Sequence, residues 1–399
     1  VSKPQGDVVI GIICPADFVK RQPFGGASGL IENIMVNLGF PCTVFGIGIN
    51  GTEPWQPKEL FPNVTFLPVA DFTYPARVPL RISTLIAYFR ARQSILRSGV
   101  GLLYIHSPEV ALPFLFGNRD IPVVFHQHGS GNPITRAKFL WARIRFFEKI
   151  FDLMLHLIHR RSDWTIAIDN ECYAQAAKSG IAHKTTLLMN AVDMNKFRPD
   201  AGMRNAMRRK YGISDDECAI LFVGRIEEIK RVDRVVEAMV NLRAEEKVFR
   251  LFLAGDGTCR KKLDEFVLRE GLGDRITFFG DVAHDELPSY YNMSDLLVLP
   301  SEMEGVPMVI LESLACGTPV IATNVGGIPD IVKDGENGFV LDEPEPARLA
   351  EAICRASRLE AGRAEIAGSV SHLSTACFVV ELKSIIKKAQ SNKLARCGL

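Results

Sequence analysis

The chain has 399 residues, 47% of them hydrophobic, and its 47 Lys/Arg against 46 Asp/Glu leave a formal net charge of +1. That length suits two domains, and the near-neutral balance excludes a bulk nucleic-acid binder while leaving room for local charge. Nine cysteines are scattered from Cys14 to Cys397 with no C-x-x-C pair, so neither a disulfide framework nor a zinc site is expected, and a reducing cytoplasm is.

The first residues run straight into an apolar strand, Val8 to Cys14, and no signal peptide is expected, because no charged leader and cleavage site precede that strand in this sequence. No run reaches the ~18–20 apolar residues that span a bilayer. A long loop carrying Gly25-Gly26 follows, then a helix from about Ser28 to Leu38. Strand, glycine turn and helix start make an anion-binding arrangement. It lacks the G-x-G-x-x-G spacing, so a loop that merely needs glycine dihedrals is the plain alternative. Further strands are expected at Cys42–Ile47, Val64–Val69, Leu102–His106, Val123–Gln127 and Trp164–Ile168, with helix-like stretches between most of them. Alternation of this kind implies a parallel sheet covered on both faces. The strand Val123–Gln127 ends in His126 and His128, and the preceding one in His106. Ligand sites of open α/β sheets lie at the carboxyl ends of strands, although a histidine there can equally be a satisfied polar residue.

Residues 136–161 read as one long helix, with Leu140, Ile144, Phe147, Phe151, Met154, Leu155 and Ile158 at helical spacing. Thirteen Lys/Arg stand against four Asp/Glu between Arg77 and Arg161. The apolar stripe suits ordinary packing on the sheet. The charge excess suits an anionic partner, either a membrane surface or a lipid-diphosphate acceptor. The stretch LLMNAVDMNKFRP, Leu187 to Pro199, reads as a linker. The expected domains are 1–194, 195–376, and a C-terminal helix, 377–399, returning to the first.

In the second half, strand Ala219–Val223 runs into Gly224-Arg225, with Lys230 five residues on. Two cations flank a turn at a strand's carboxyl end, where a departing diphosphate could be neutralised. Strands follow at Arg250–Ala254 and Ile276–Phe279, the latter leading to Gly280-Asp281-Val282. The segment VLPSEMEGVPMVILESLACGTPVIAT then gives a buried strand, a loop with Glu304 and Gly305, and a helix from Pro307 to Cys316 that contains Glu312. A helix N-terminus suits a phosphate, and a carboxylate beside it suits sugar or ribose hydroxyls. A capped helix with two solvated glutamates is the bland reading.

This pattern resembles the retaining glycosyltransferases of family 4. Glu304 and Glu312 match their E-x7-E signature, Gly224-Arg225 with Lys230 matches G-R-x4-K, and the 187–199 linker matches N-G-V-D…F-x-P with Ala191 in place of glycine. The resemblance implies a GT-B fold, α/β, with two Rossmann-like domains facing an interdomain cleft. It implies that Arg225 and Lys230 neutralise the leaving diphosphate, that Glu304 contacts the sugar and Glu312 the ribose, and that His128 meets the donor sugar near the reacting centre. His106 and His126 are secondary candidates. Gly25, Gly26, Gly224, Val282, Gly305, Val306, Met308 and Val309 complete the implied donor site. No metal site is expected, and no cofactor beyond the nucleotide-sugar substrate, UDP- or GDP-linked. The acceptor would be a glycan or a lipid-diphosphate-linked molecule in surface polysaccharide or glycolipid assembly, with the protein in the cytoplasm or peripheral on the inner face of the cell membrane. Two other classes stay open: a nucleotide-sugar epimerase of similar fold, and a non-catalytic nucleotide-sugar binder.

Overall fold

The computed structural model describes residues 8–20, 26–73, 80–116, 120–129 and 145–397. The chain divides into two compact units, one formed by Val1–Met189 with Thr375–Leu399 and the other by Asn190–Ser374. Each is built on its own sheet.

The first sheet has eight strands, β1 (Ile10–Ile13), β2 (Cys42–Ile49), β3 (Lys58–Phe61), β4 (Val64–Phe72), β5 (Leu102–Ile105), β6 (Val123–Gln127), β7 (Trp164–Ala167) and β8 (Thr185–Leu187). Their order is β3-β4-β2-β1-β5-β6-β7-β8. All neighbouring pairs are parallel except β3 with β4. The central strands are short apolar runs buried along their length, the pattern of a sheet covered on both faces. The tyrosine Tyr88 is fully buried in this core and donates its hydroxyl to the Phe45 carbonyl at 2.7 Å.

The order reverses between β1 and β5, the place where doubly wound sheets open a crevice. Beyond β1 the buried carboxylate of Asp17 accepts from the amides of Val19, Lys20 and Ile49 and from the Thr52 hydroxyl. It thereby fixes the start of the loop leading to the glycine pair. Gly25 lies outside the described residues, and Gly26 opens the helix Gly26–Asn37. Of the long basic helix, residues 145–161 are described, and 136–144 lie outside. Ile158 is buried, with Met154 and Leu155 packed against the core cluster.

The second sheet has six strands, β9 (Cys218–Val223), β10 (Phe249–Ala254), β11 (Ile276–Gly280), β12 (Leu296–Leu299), β13 (Val320–Thr323) and β14 (Gly338–Leu341). The order is β11-β10-β9-β12-β13-β14, all parallel, with the reversal between β9 and β12.

Each apolar run read as a strand is one. The sequence reading missed β3 and β8. The first is a four-residue edge strand with its first half exposed, following no apolar pattern; the second is only three residues long. The eight cysteines with described side chains are all free thiols.

The C-terminal helix Thr375–Cys397 belongs to the first unit and packs on the helix Gly26–Asn37, β6 and β7. Its polar anchor is Asp163, 1% exposed, which accepts from the Val123 amide at 2.9 Å and from Arg396 Nη1 at 3.1 Å, with Lys393 Nζ at 3.7 Å. Removing one member of a buried pair strands the others, whereas a half-exposed cation is mostly screened by water. Asp163→Ala is therefore expected to lower unfolding free energy by roughly 3 kcal/mol. Arg396→Ala should cost about 1 kcal/mol or less. Urea denaturation of the two variants checks the ranking.

Candidate functional site

In the second unit the carboxyl ends of β9 and β12 lie side by side at the order reversal, so their loops meet. The β9 loop, Gly224 to Arg231, closes in a tight 3-10 turn over Glu228–Lys230, after which Arg231 adopts a left-handed backbone (φ 48°). The loops are joined through the backbone, Glu302 N–H donating to the Ile229 carbonyl at 2.9 Å, and Arg231 Nη1 donates to Glu302 Oε1 at 2.9 Å. This scaffold sets Lys230 Nζ 2.6 Å from Glu304 Oε1, both side chains mostly out of solvent.

Backbone packing holds the Glu304 loop from behind. Gly326 has φ +56°, and a Cβ there would lie 2.2 Å from the Glu304 carbonyl oxygen. The adjoining Gly327 N–H donates to the Gly305 carbonyl at 2.8 Å. Asn190 Nδ2 donates to the Val306 carbonyl at 2.7 Å. A similar close approach seats Gly224: a Cβ on Gly255 would fall 1.9 Å from its carbonyl. Pro307 then starts the helix Met308–Ala315 with no side-chain cap, leaving first-turn amides without an intrahelical partner.

Arg225 and Glu312 lie in contrasting surroundings. Arg225 is exposed (73%) and pairs with Glu227 at 2.7 Å, not with Glu304. Glu312 is 2% exposed, and both carboxylate oxygens are engaged, one by His284 Nε2 and the other by the Tyr291 hydroxyl, each at 2.8 Å. Tyr291 is buried and its hydroxyl is pushed well above its ordinary pKa by that burial and by the Glu312 charge, so it remains a donor. Half-exposed His284 covers the carboxylate. These two partners were not found from the sequence, because only the fold brings residues 284 and 291 onto position 312. Val306 is buried in the Glu304 loop; Val282, Met308 and Val309 are half-buried.

In the first unit, β5 and β6 pair with Ile105 opposite Phe125, which brings His106 beside His126, while His126 and His128 share one face by strand alternation. The result is a cluster of three imidazoles. His106 Nδ1 lies 2.8 Å from His128 Nε2, and the Tyr104 hydroxyl lies 2.7 Å from His126 Nδ1. Burial lowers the pKa of all three, that of His128 to about 4, so the rings are neutral at pH 7. The sequence named each histidine, but their grouping rests on register, which one chain's sequence does not display.

Between His126 and His128, Gln127 at the end of β6 points to the other face of the sheet. It accepts at Oε1 from His159 Nε2, 2.8 Å, and donates at Nε2 to Gln175 Oε1, 2.7 Å. Burial, reinforced by His156 and Lys184, lowers the His159 pKa to about 4. Its unfolded value is about 6.5, so between these values the unfolded chain binds a proton that the native state refuses. Stability from this residue is complete above pH 6.5 and is lost as pH falls toward 4. Between pH 7 and 5 the loss is about 2 kcal/mol. His159→Gln should flatten the pH dependence of the urea midpoint over that window.

Residues 203–368 match the family Glycosyl transferases group 1, and residues 35–196 match Glycosyltransferase Family 4. The chain is similar to D-inositol 3-phosphate glycosyltransferase from Geodermatophilus obscurus, 34% identical over 201 residues, covering 47% of this chain and 44% of that protein. It is similar to GDP-mannose-dependent alpha-(1-6)-phosphatidylinositol monomannoside mannosyltransferase from Mycobacterium tuberculosis, 31% identical over 185 residues, covering 45% of this chain and 48% of that protein. The matched stretch thus spans less than half the length of these curated relatives. Among solved structures, sucrose-phosphate synthase from Thermosynechococcus elongatus superposes with a TM-score of 0.79 at 22% identity, covering 96% of this chain and 98% of that one, a likeness of fold.

Proposed function

We propose, for a chain that belongs to the group 1, family 4 glycosyltransferases and has their two-domain GT-B fold, that it transfers a sugar from a UDP- or GDP-linked donor to a glycan or lipid-linked acceptor with retention of configuration. The observation that carries this reading is the Lys230–Glu304 pair at the reversal between β9 and β12, beside an uncapped helix N-terminus. A cation and free amides suit a diphosphate, and a carboxylate within reach of them suits the hydroxyls of the sugar attached to it. Without a ligand the carboxylate of Glu304 neutralises Lys230, as Glu227 neutralises Arg225. An arriving diphosphate takes over the cations, and Glu304 is released to the sugar.

As the glycosidic bond breaks, negative charge grows on the leaving diphosphate. Lys230, Arg225 and the first-turn amides at Met308 and Val309 stabilise it where it develops. These fixed charges can fill the role a divalent ion has elsewhere, so no metal is required at the diphosphate. His128 is assigned to the donor sugar, and Glu312, oriented by His284 and Tyr291, to the ribose. Attack on the same face that the diphosphate leaves gives retention without a covalent enzyme intermediate.

Thermal-shift screening with UDP- and GDP-sugars identifies the donor, since a ligand of the native state raises its melting temperature. Lys230→Ala should lower kcat by about 10²- to 10³-fold. Glu304→Gln frees Lys230 from its counter-ion, so it should bind the bare nucleoside diphosphate as tightly as wild type or tighter while transfer collapses. Transfer at wild-type rate in Lys230→Ala overturns the assignment. Sugar-nucleotide conversion without any acceptor would identify an epimerase instead, and NMR of the product's anomeric centre decides retention.

The acceptor reading draws on the basic region 77–161. On the helix Leu80–Leu96, Ile82, Ile86 and Phe89 are exposed at i, i+4, i+7 spacing, flanked by exposed Arg81, Arg90 and Arg97. No helix among the described residues is long and apolar enough to cross a membrane. A face of this kind suits peripheral attachment to an anionic leaflet. The protein is expected to float with phosphatidylglycerol vesicles and not with phosphatidylcholine vesicles, and Ile86→Asp with Phe89→Ser should abolish flotation without altering the fold.

A further inference from the structure

We propose that a cavity at the amino ends of β7 and β8, on the sheet edge opposite His126 and His128, binds a phosphate ester. The helices Arg145–Arg161, Asn170–Lys178 and Thr375–Cys397 end around it. Its volume is about 680 Å³, a size that suits a small ligand. Arg160, Lys178, His183, Lys184 and Arg396 line it, and Asp163 is the one carboxylate among the described lining residues. Asp163 is already engaged: it accepts from the Val123 amide and from Arg396 Nη1 at 3.1 Å, with Lys393 Nζ at 3.7 Å.

Lys184 carries the case. It is 5% exposed, yet it forms no ion pair among the described residues. Its Nζ donates to the Arg160 carbonyl at 2.9 Å and to the Ser162 carbonyl. Arg396 Nη2 shares the Arg160 carbonyl at 3.3 Å, so two like charges sit against one oxygen. Burial lowers the Lys184 pKa to about 8; Arg396 and Arg160 push the same way, and Asp163 opposes them only in part. A buried charge is ordinarily compensated by an opposite one. Here that partner is missing, and a phosphate in the cavity supplies it. Capping of the helix Arg145–Arg161 by Lys184 and Arg396 is the competing explanation. It leaves Arg160, Lys178 and His183 unaccounted for, since their side chains have no hydrogen-bond or ion-pair partner among the described residues. Lysine and arginine together suit phosphate oxygens. Two sources supply such a group, a phospholipid headgroup and a soluble ester. The rim of the cavity continues toward the helix Leu80–Leu96: Arg161 lies over the Phe116 ring at 4.5 Å, and Arg92 of that helix donates to the Phe116 carbonyl.

The test uses no sugar donor, so it fails or succeeds apart from the transfer reading. Glycerol 3-phosphate is titrated into the protein by calorimetry at constant ionic strength, and flotation with phosphatidylglycerol vesicles is measured alongside. Arg160→Gln with Lys178→Gln removes two exposed cations and leaves the Lys184 contacts in place. Lys261→Gln with Lys262→Gln removes the same charge from an exposed helix face of the second unit. If the ligand is a soluble ester, glycerol phosphate binds wild type and Lys230→Ala alike, and binds the Arg160/Lys178 variant at least about tenfold more weakly. If it is a lipid headgroup, glycerol phosphate does not bind, and vesicle affinity falls about tenfold in the Arg160/Lys178 variant but not in the Lys261/Lys262 variant. The proposal is overturned if neither probe separates the Arg160/Lys178 variant from wild type. It is equally overturned if both double variants weaken binding to the same extent, or if Lys230→Ala alone abolishes the binding of glycerol phosphate.

Discussion

The pairing of β9 with β12 governs the second unit. These strands are more than seventy residues apart in sequence, yet Leu296 and Leu297 sit against Ile220 and Leu221. Because both strands run the same way, both carboxyl ends point to one edge, and the chain on either side winds away from the seam in opposite directions. Two loops that would otherwise never meet are thrown together. One brings Lys230 and the other Glu304. The backbone bond from Glu302 to Ile229 and the contact of Gly326 beneath Glu304 then remove the freedom the loops would have alone.

Charge in that unit is balanced locally at rest. Lys230, Arg225 and Arg231 each have a carboxylate within 3.4 Å, and Glu312 has the His284 ring and the Tyr291 hydroxyl. Such balance holds cations in place without a ligand, at the cost of a competitor that any anion must displace. It also explains why exposure alone would misrank the residues. Arg225 is the most exposed of them and Glu312 the least, yet both lie on the elements that end at the same sheet edge.

Much of this was legible in the sequence where the physics is local. Buried parallel strands need continuous apolar runs, so β1, β5, β6, β9 and β12 announced themselves. Loops carrying Gly224 and Gly305 announced themselves through glycine next to charge. What stayed hidden depends on register and on edges. β3 has no apolar run because an edge strand buries little. Tyr291 and His284 look like ordinary residues of a surface helix and loop until the fold sets them on Glu312. The three histidines are separate letters until Ile105 is placed opposite Phe125. The resemblance supplied roles; packing supplied neighbours, which for Glu312 are His284 and Tyr291.

The anchoring of the last helix by Asp163 has a bearing on how the chain matures. The second unit, Asn190–Ser374, is an insertion within the first, its ends joined by the bridge between Val192 and Ser374. During synthesis the second unit emerges whole while the first still lacks Arg396, Lys393 and the packing of that helix on β6 and β7. The half made first is thus completed last, and until then Asp163 has the Val123 amide but neither of its cations.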